Sequence, residues 1–414
     1  MAIISTVQRS STEISDQPVK TYMPALFSLA VLYFMMGFIT CLNDTLVPFF
    51  KTGFTLSYSE SSLVQFYFFL TYGIMSIPAG KVVERIGFKN GMVMGFAIAA
   101  VGALLFYPAS VWHQYYLFLA ALFILAIGIV LLQVAANPYI TILGPASTAS
   151  SRLTLIQGVG SIGTTVAPIF GAYYILSPLQ NSNAGSEAVR YPYLGIAVLL
   201  VIIAIAVSRL SLPAIKLQPV STLKSERRKS IFTFRNLNYG AIGIFMYVGA
   251  EVSIGTFLTN YISDNTGISE TDANRYVSLY WGSMLIGRLI GSFLLQRIKA
   301  SKVLSFCAVM AIIMILVSIF NDGSFAVWTM ILVGLFNSVM FATIFSLSVN
   351  GLGEYTTKAS GILSSAIVGG AIISYIQGLI KDSFPWEIAF IVPLICYLYI
   401  LFYGLNGYKQ KEAS

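Results

Sequence analysis

Three full charges lie deep inside apolar stretches of this chain: Asp44, Glu251 and Arg288. An ionisable group in hydrocarbon costs roughly 2.5–3.5 kcal/mol even on the lenient insertion scale, so such groups face a bundle interior or a water-filled cavity and mark function. Asp44 sits in Gly37-Phe38-Ile39-Thr40-Cys41-Leu42-Asn43-Asp44-Thr45-Leu46-Val47-Pro48. Gly37, Thr40, Asp44 and Pro48 recur at spacings of three and four, which puts them on one helix face. A carboxylate there can take a proton from one side of a barrier and release it to the other. It can also ligate a sodium ion, with the Asn43 amide oxygen as a second ligand. The other reading is a structural carboxylate that caps a neighbouring helix. Glu251, in Tyr247-Val248-Gly249-Ala250-Glu251-Val252-Ser253, lies at a similar depth. It suits a substrate contact, a partner for Arg288, or a packing hydrogen bond. Arg288 follows Tyr280, Trp281 and Met284 on roughly one face, towards one end of its stretch, as a structural ion pair or an inner gate would.

Neutral polar residues add a second kind of chemistry. Gln133 and Asn137 are four apart, and Gln157, Ser161 and Thr164 share a helix face. Amides on one face bond hydroxyl groups as donor and acceptor at once. Their alternative use is interhelical glue. Trp281 offers an aromatic face to a sugar ring, and Asn337 is one more amide inside an apolar stretch. Both are weaker candidates, because aromatics make up 14% of the chain and most of them must simply pack.

The chemistry that is missing narrows the class. There is no Gly-x-x-x-x-Gly-Lys-Ser/Thr phosphate loop, so the chain is not itself an ATP-driven pump. The single histidine, His113, lies between two apolar stretches and completes no triad or zinc site. Cys41, Cys307 and Cys396 all lie in apolar stretches and imply no disulfide framework. The chain is expected to be no enzyme and to need no cofactor beyond a coupling ion, H+ or Na+.

The elements that must position these residues are membrane helices. Of 414 residues, 57% are hydrophobic and only 10% charged, against about 25% charged in a soluble domain. The mean hydropathy is +0.80. Each crossing needs about 20 apolar residues. Twelve spans fit, near 23–50, 58–83, 89–109, 114–143, 150–178, 191–211, 236–263, 270–298, 301–321, 324–351, 356–383 and 385–407. Long continuous apolar runs exclude a membrane barrel, whose strands alternate over short segments. The expected fold is therefore an all-α membrane protein of twelve transmembrane helices in two six-helix bundles, residues 23–211 and 236–407. A tail (1–22), a basic linker (212–235) and a short end (408–414) complete it.

With the N-terminus inside, 18 of the 24 Lys and Arg fall on the inner side, so both termini are read as cytoplasmic. The same distribution explains the net charge of +8 without nucleic acid. The lipid bilayer is an expected partner, with function as a monomer. The expected location is the plasma membrane, multi-pass, in a bacterial inner membrane. A weak repeat joins the halves: Ala79–Ile86 matches Gly291–Ile298 at an offset of 212, and Thr148–Gly160 matches Thr357–Gly369 at an offset of 209. Parallel repeats of this kind mark transporter halves.

The segment Gly80-Lys81-Val82-Val83-Glu84-Arg85-Ile86-Gly87-Phe88-Lys89 resembles the loop motif of the major facilitator superfamily, Gly-x-x-x-Asp-Arg-x-Gly-Arg/Lys, with Glu84 in place of the usual Asp. The resemblance implies that Gly80, Glu84 and Arg85 brace the two halves on the cytoplasmic side. Further segments are similar to the fucose:proton symporter family, in its glucose/galactose permease branch. They are Gly37–Asp44, Leu131-Leu132-Gln133-Val134-Ala135-Ala136-Asn137-Pro138-Tyr139, Tyr247–Gly255, Tyr280-Trp281-Gly282 with Gly287-Arg288, and Ala366–Ala371. They reach across both halves. The resemblance implies uptake of a neutral sugar by cation-coupled symport, and it makes Asp44 the coupling residue. Gln133 stands where the fucose branch has a second carboxylate.

The fifth helix departs from the family pattern: Thr154 and Gly160 replace two asparagines, and Gly160 is expected to open space in the cavity. A hexose such as glucose, galactose or mannose is the expected cargo, with a fucose or N-acetylhexosamine permease as the alternative. From other classes, a proton-driven drug exporter and a non-transporting sugar sensor stay open. The expected sugar site combines Gln133, Asn137 and Gln157 with Glu251, Trp281 and Asn337.

Overall fold

The computed structural model describes residues 23–54, 58–176, 178, 185–210, 230–268 and 270–410. Most of the 212–235 linker and the 1–22 tail therefore lie outside the described residues. Among the described residues every regular element is helical. In hydrocarbon a backbone must satisfy its own hydrogen bonds, and a helix does so within one segment.

The first half runs α1 (Met23–Gly53), α2 (Tyr58–Ile86), α3 (Phe88–Val111), α4 (Tyr115–Ile142), α5 (Ala146–Ile175) and α6 (Ser186–Arg209). The second half runs α7 (Arg235–Thr266), α8 (Glu270–Arg297), α9 (Ala300–Ile319), α10 (Gly323–Val349), α11 (Gly353–Ser383) and α12 (Trp386–Gly407). Eleven helices among the described residues are long and apolar enough to cross a membrane, and within α1 the described apolar stretch is Leu29–Asn43. The boundaries depart from the sequence expectation by a few residues, as frayed helix ends do.

With lipid tails as apolar as leucine, helices in a membrane associate through close packing, and small residues let backbones approach. The α1–α5 contact is the clearest case. A methyl group on Gly163 would run into the backbone of Phe34 and Phe38, and one on Gly37 into the backbone of Gly160. The α2–α3 turn needs its glycine for a different reason. Gly87 has φ 82°, the left-handed region that only glycine enters cheaply. The loop motif of the sequence is thus a turn requirement at that position.

Several helices break where polar groups gather. α10 is interrupted between Asn337 and Met340, and α11 tightens to a 3-10 turn at Ala366–Val368. Helix ends are capped from outside. Arg152 is buried and donates to the carbonyls of Ile140 (3.2 Å), Thr141 (2.7 Å) and Pro145 (2.9 Å), closing the C-terminus of α4. Asn236 does the same for α10, donating to Ser348 O at 2.9 Å and Asn350 O at 3.1 Å. Such caps satisfy the terminal carbonyls that a helix leaves without a partner.

The two bundles meet at the end where α2 finishes and α11 begins. Lys358 Nζ lies 3.4 Å from Glu84 Oε1. Ser151 Oγ donates to Ser292 O (2.6 Å), Ser360 Oγ to Val134 O (3.0 Å) and Ser365 Oγ to Gly73 O (2.9 Å), and the Ser150 and Ser346 hydroxyls bond one another. The seal runs from the loop end to the middle of the spans.

Candidate functional site

In the second bundle the broken α10 organises a chain of hydrogen bonds. Asn337 is fully buried at the break. Its Nδ2 donates to the Tyr280 hydroxyl at 2.9 Å, and its Oδ1 accepts from the Tyr397 hydroxyl at 2.7 Å. Tyr280 in turn donates to the backbone carbonyl of Glu251 at 3.2 Å. The Glu251 carboxylate accepts from Tyr247, one turn back, at 2.7 Å. Four helices, α12, α10, α8 and α7, are thereby joined. Asn337, expected to line the sugar site, bonds a tyrosine at each end of its amide and so braces Tyr280.

The break also frees a carbonyl. Arg288 Nε donates to Ser338 O at 3.3 Å, and its Nη1 reaches across to the Ser161 hydroxyl of the first bundle. The suggested Glu251–Arg288 ion pair is absent among the described residues; the guanidinium bridges the bundles. Trp281 lies seven residues before Arg288, two turns along the same face. Its indole is 41% exposed and covers Gly255 of α7.

In the first bundle the Tyr33 hydroxyl donates to Asn137 Oδ1. Asn137 Nδ2, Gln133 Oε1 and Gln157 Oε1 have no protein partner although they are buried. The Asn43 amide, on α1, is buried with neither its oxygen nor its nitrogen bonded. Leaving a buried amide unpaired costs about 1–3 kcal/mol by mutational measures, so these atoms await water or a ligand. Asp44 belongs to α1, and its side chain lies outside the described residues. Gly160 corrects the expectation of extra cavity space. A methyl group there would lie 3.2 Å from Tyr33 O, so the backbone of α1 fills the volume.

At the sealed end, Gly80 lets α2 approach α11: a methyl group on it would stand 3.4 Å from Thr357 O and 3.5 Å from Gly361 Cα. Glu84 supplies the carboxylate of the Lys358 pair. Arg85 is exposed at the same end.

The residues that the sequence reading missed are tyrosines. Tyr33, Tyr72, Tyr247, Tyr280 and Tyr397 are all buried in their bundles. A buried Tyr hydroxyl needs a partner, so Tyr within a span beside an amide was the available signal. With 24 tyrosines in the chain, that signal is diluted.

Twelve helices in two bundles, sealed at one end around a polar mid-span interior, define a transporter fold. The Major Facilitator Superfamily model matches residues 27–239 and again 240–412. The chain belongs to the major facilitator superfamily. It is 50% identical over 403 residues to a glucose/galactose transporter of Brucella abortus, covering 96% of this chain and 97% of that protein. It is 30% identical to the L-fucose-proton symporter of Escherichia coli, covering 95% of each. Among solved structures it is similar to FucP in the outward conformation, with TM-score 0.84, 30% identity, 94% of this chain and 99% of that one.

Proposed function

We propose that this chain imports a neutral hexose, such as glucose or galactose, by cation-coupled symport with alternating access. The observation that carries the reading is the set of orphaned amide atoms on α4 and α5: Gln133 Oε1, Asn137 Nδ2 and Gln157 Oε1. A polyhydroxylated ring supplies donors and acceptors to such atoms at once. Glu251 and Trp281 complete the site from the second bundle, Trp281 as a face for the ring. The name of the 50%-identical relative supports a hexose. The fucose-proton relatives support a proton as the coupling ion, carried by Asp44 beside Asn43. Arg288, Glu84, Arg85 and Gly80 act in the inner gate.

The sealed end is the cytoplasmic one when the Lys and Arg excess is placed inside, so this structure corresponds to the outward-facing state. A site between the bundles suits two halves that rock about the midplane.

Binding of a ligand to the folded state alone raises apparent stability by about 2.7 kcal/mol at a hundred times its dissociation constant. The purified protein is expected to melt several degrees higher with D-glucose or D-galactose, and no higher with a lipophilic cation. Stabilisation by the cation and not by hexoses would favour an exporter instead. The 25% identity to a multidrug efflux protein of Bacillus subtilis gives that outcome its interest.

A further inference from the structure

We propose that Glu251 is a second proton-carrying group, so that the second bundle holds a coupling site of its own and two protons accompany each sugar. This inference rests on the symport reading above.

Placement is the first observation. Each bundle puts a carboxylate on its first helix (Asp44 on α1, Glu251 on α7). Each puts a tyrosine on its second helix and an amide on its fourth. In the first bundle these are Tyr72 and Gln133, and in the second Asn337 Nδ2 donates to the Tyr280 hydroxyl at 2.9 Å. The offsets between the paired residues are 207, 208 and 204 in residue number, close to the 209 and 212 of the sequence repeat. The same three residue types therefore recur on the first, second and fourth helices of each bundle.

The surroundings of Glu251 are the second observation. Its Oε1 accepts from Tyr247 at 2.7 Å. Among the described residues no cation lies within ion-pair distance, because Arg288 commits its guanidinium to Ser161 and Ser338. The titratable or charged groups whose charge reaches Glu251 are Tyr247 on its own helix, Tyr280 and Arg288 on α8, and Tyr397 on α12. A half-buried carboxylate without a cation partner faces water while the cavity is open and protein when it closes. It crosses between those states most cheaply by carrying a proton.

The step balances simply. A proton from the outer water binds the second carboxylate oxygen while Oε1 keeps the Tyr247 hydrogen bond, and the same proton leaves to the cytoplasmic water. No bond of the sugar forms or breaks. The Tyr397–Asn337–Tyr280 chain holds this segment of α7 in place. A carboxylate that only packs against Tyr247 would move no proton, which separates the two roles experimentally.

The test is the reversal point of net D-glucose flux in proteoliposomes of the full chain. A factor of ten corresponds to about 59 mV for one charge. Against a hundredfold glucose gradient, flux reverses at about 59 mV of proton-motive force for two protons per sugar and at about 118 mV for one. Wild type and Glu251→Asp are expected at the lower value, and Glu251→Gln at the higher. Reversal of the wild type at the higher value overturns the proposal, as does a Glu251→Gln protein that still reverses at the lower one. If Glu251→Gln does not fold, wild type and Glu251→Asp decide between the same two values. Absence of any hexose flux in the wild type is a different result, and it removes the symport reading itself.

Discussion

Asp44→Asn is expected to lower accumulation of sugar against its gradient about tenfold at a proton-motive force of about 59 mV, while counterflow of sugar for sugar persists. Coupling requires that sugar and ion favour the same conformational state, a linkage between two binding events. Asparagine keeps the size of the side chain and one acceptor oxygen, and it removes the ability to exchange a proton. The α1 backbone is fixed against α5 by Gly37, Gly160 and Gly163, so the substitution leaves the helix contact intact. At a proton-motive force of about 59 mV each coupled proton multiplies the accumulation ratio by about ten. Loss of this coupling step is expected to lower the ratio about tenfold, leaving the proton carried at Glu251. Accumulation by the variant at the wild-type level, measured with labelled sugar in energised vesicles, would remove Asp44 from the coupling mechanism.

Arg288→Ala is expected to open the inner gate and to slow uptake by at least tenfold. Arg288 lies at the bundle interface, and it holds Ser161 of one bundle and Ser338 of the other. A hydrogen bond to a charged group contributes about 1.5–3 kcal/mol, so losing the cross-bundle bond shifts the balance between open and closed states roughly ten- to a hundredfold. The exposed Glu84–Lys358 pair cannot replace it, since surface ion pairs contribute at most about 1 kcal/mol. The readout is thiol labelling from the inner side of a cysteine placed at Ser150, with Cys41, Cys307 and Cys396 replaced. Labelling should rise in Arg288→Ala and return part of the way in Arg288→Lys. Unchanged labelling together with unchanged uptake would assign the gate elsewhere.

Much of the architecture could be read from hydropathy, because long apolar runs leave the backbone no alternative to helices. The glycine of the α2–α3 turn and the cross-bundle role of Glu84 were legible in the loop motif. Contacts across bundles were harder. Gly160 suggested an empty place because a side chain was missing from a family pattern, and only the approach of α1 reveals that the backbone of Tyr33 occupies it. Asn337 suggested a sugar contact because amides inside a membrane are costly, yet Tyr280 and Tyr397 meet that cost. Arg152 counted as one more inner-side cation, and it is a buried cap on α4. In each case the residue type carried the correct demand for a partner, while the partner lay on another helix tens of residues or more away, or around a turn.

The most direct measurement is counterflow of labelled D-glucose in proteoliposomes, with galactose, mannose, fucose and N-acetylglucosamine as competitors. Counterflow needs no ion gradient, so it separates recognition of the sugar from coupling. The account predicts that D-glucose exchanges and that galactose competes well. A folded protein that exchanges none of these sugars would contradict the hexose assignment and leave only the transporter architecture standing.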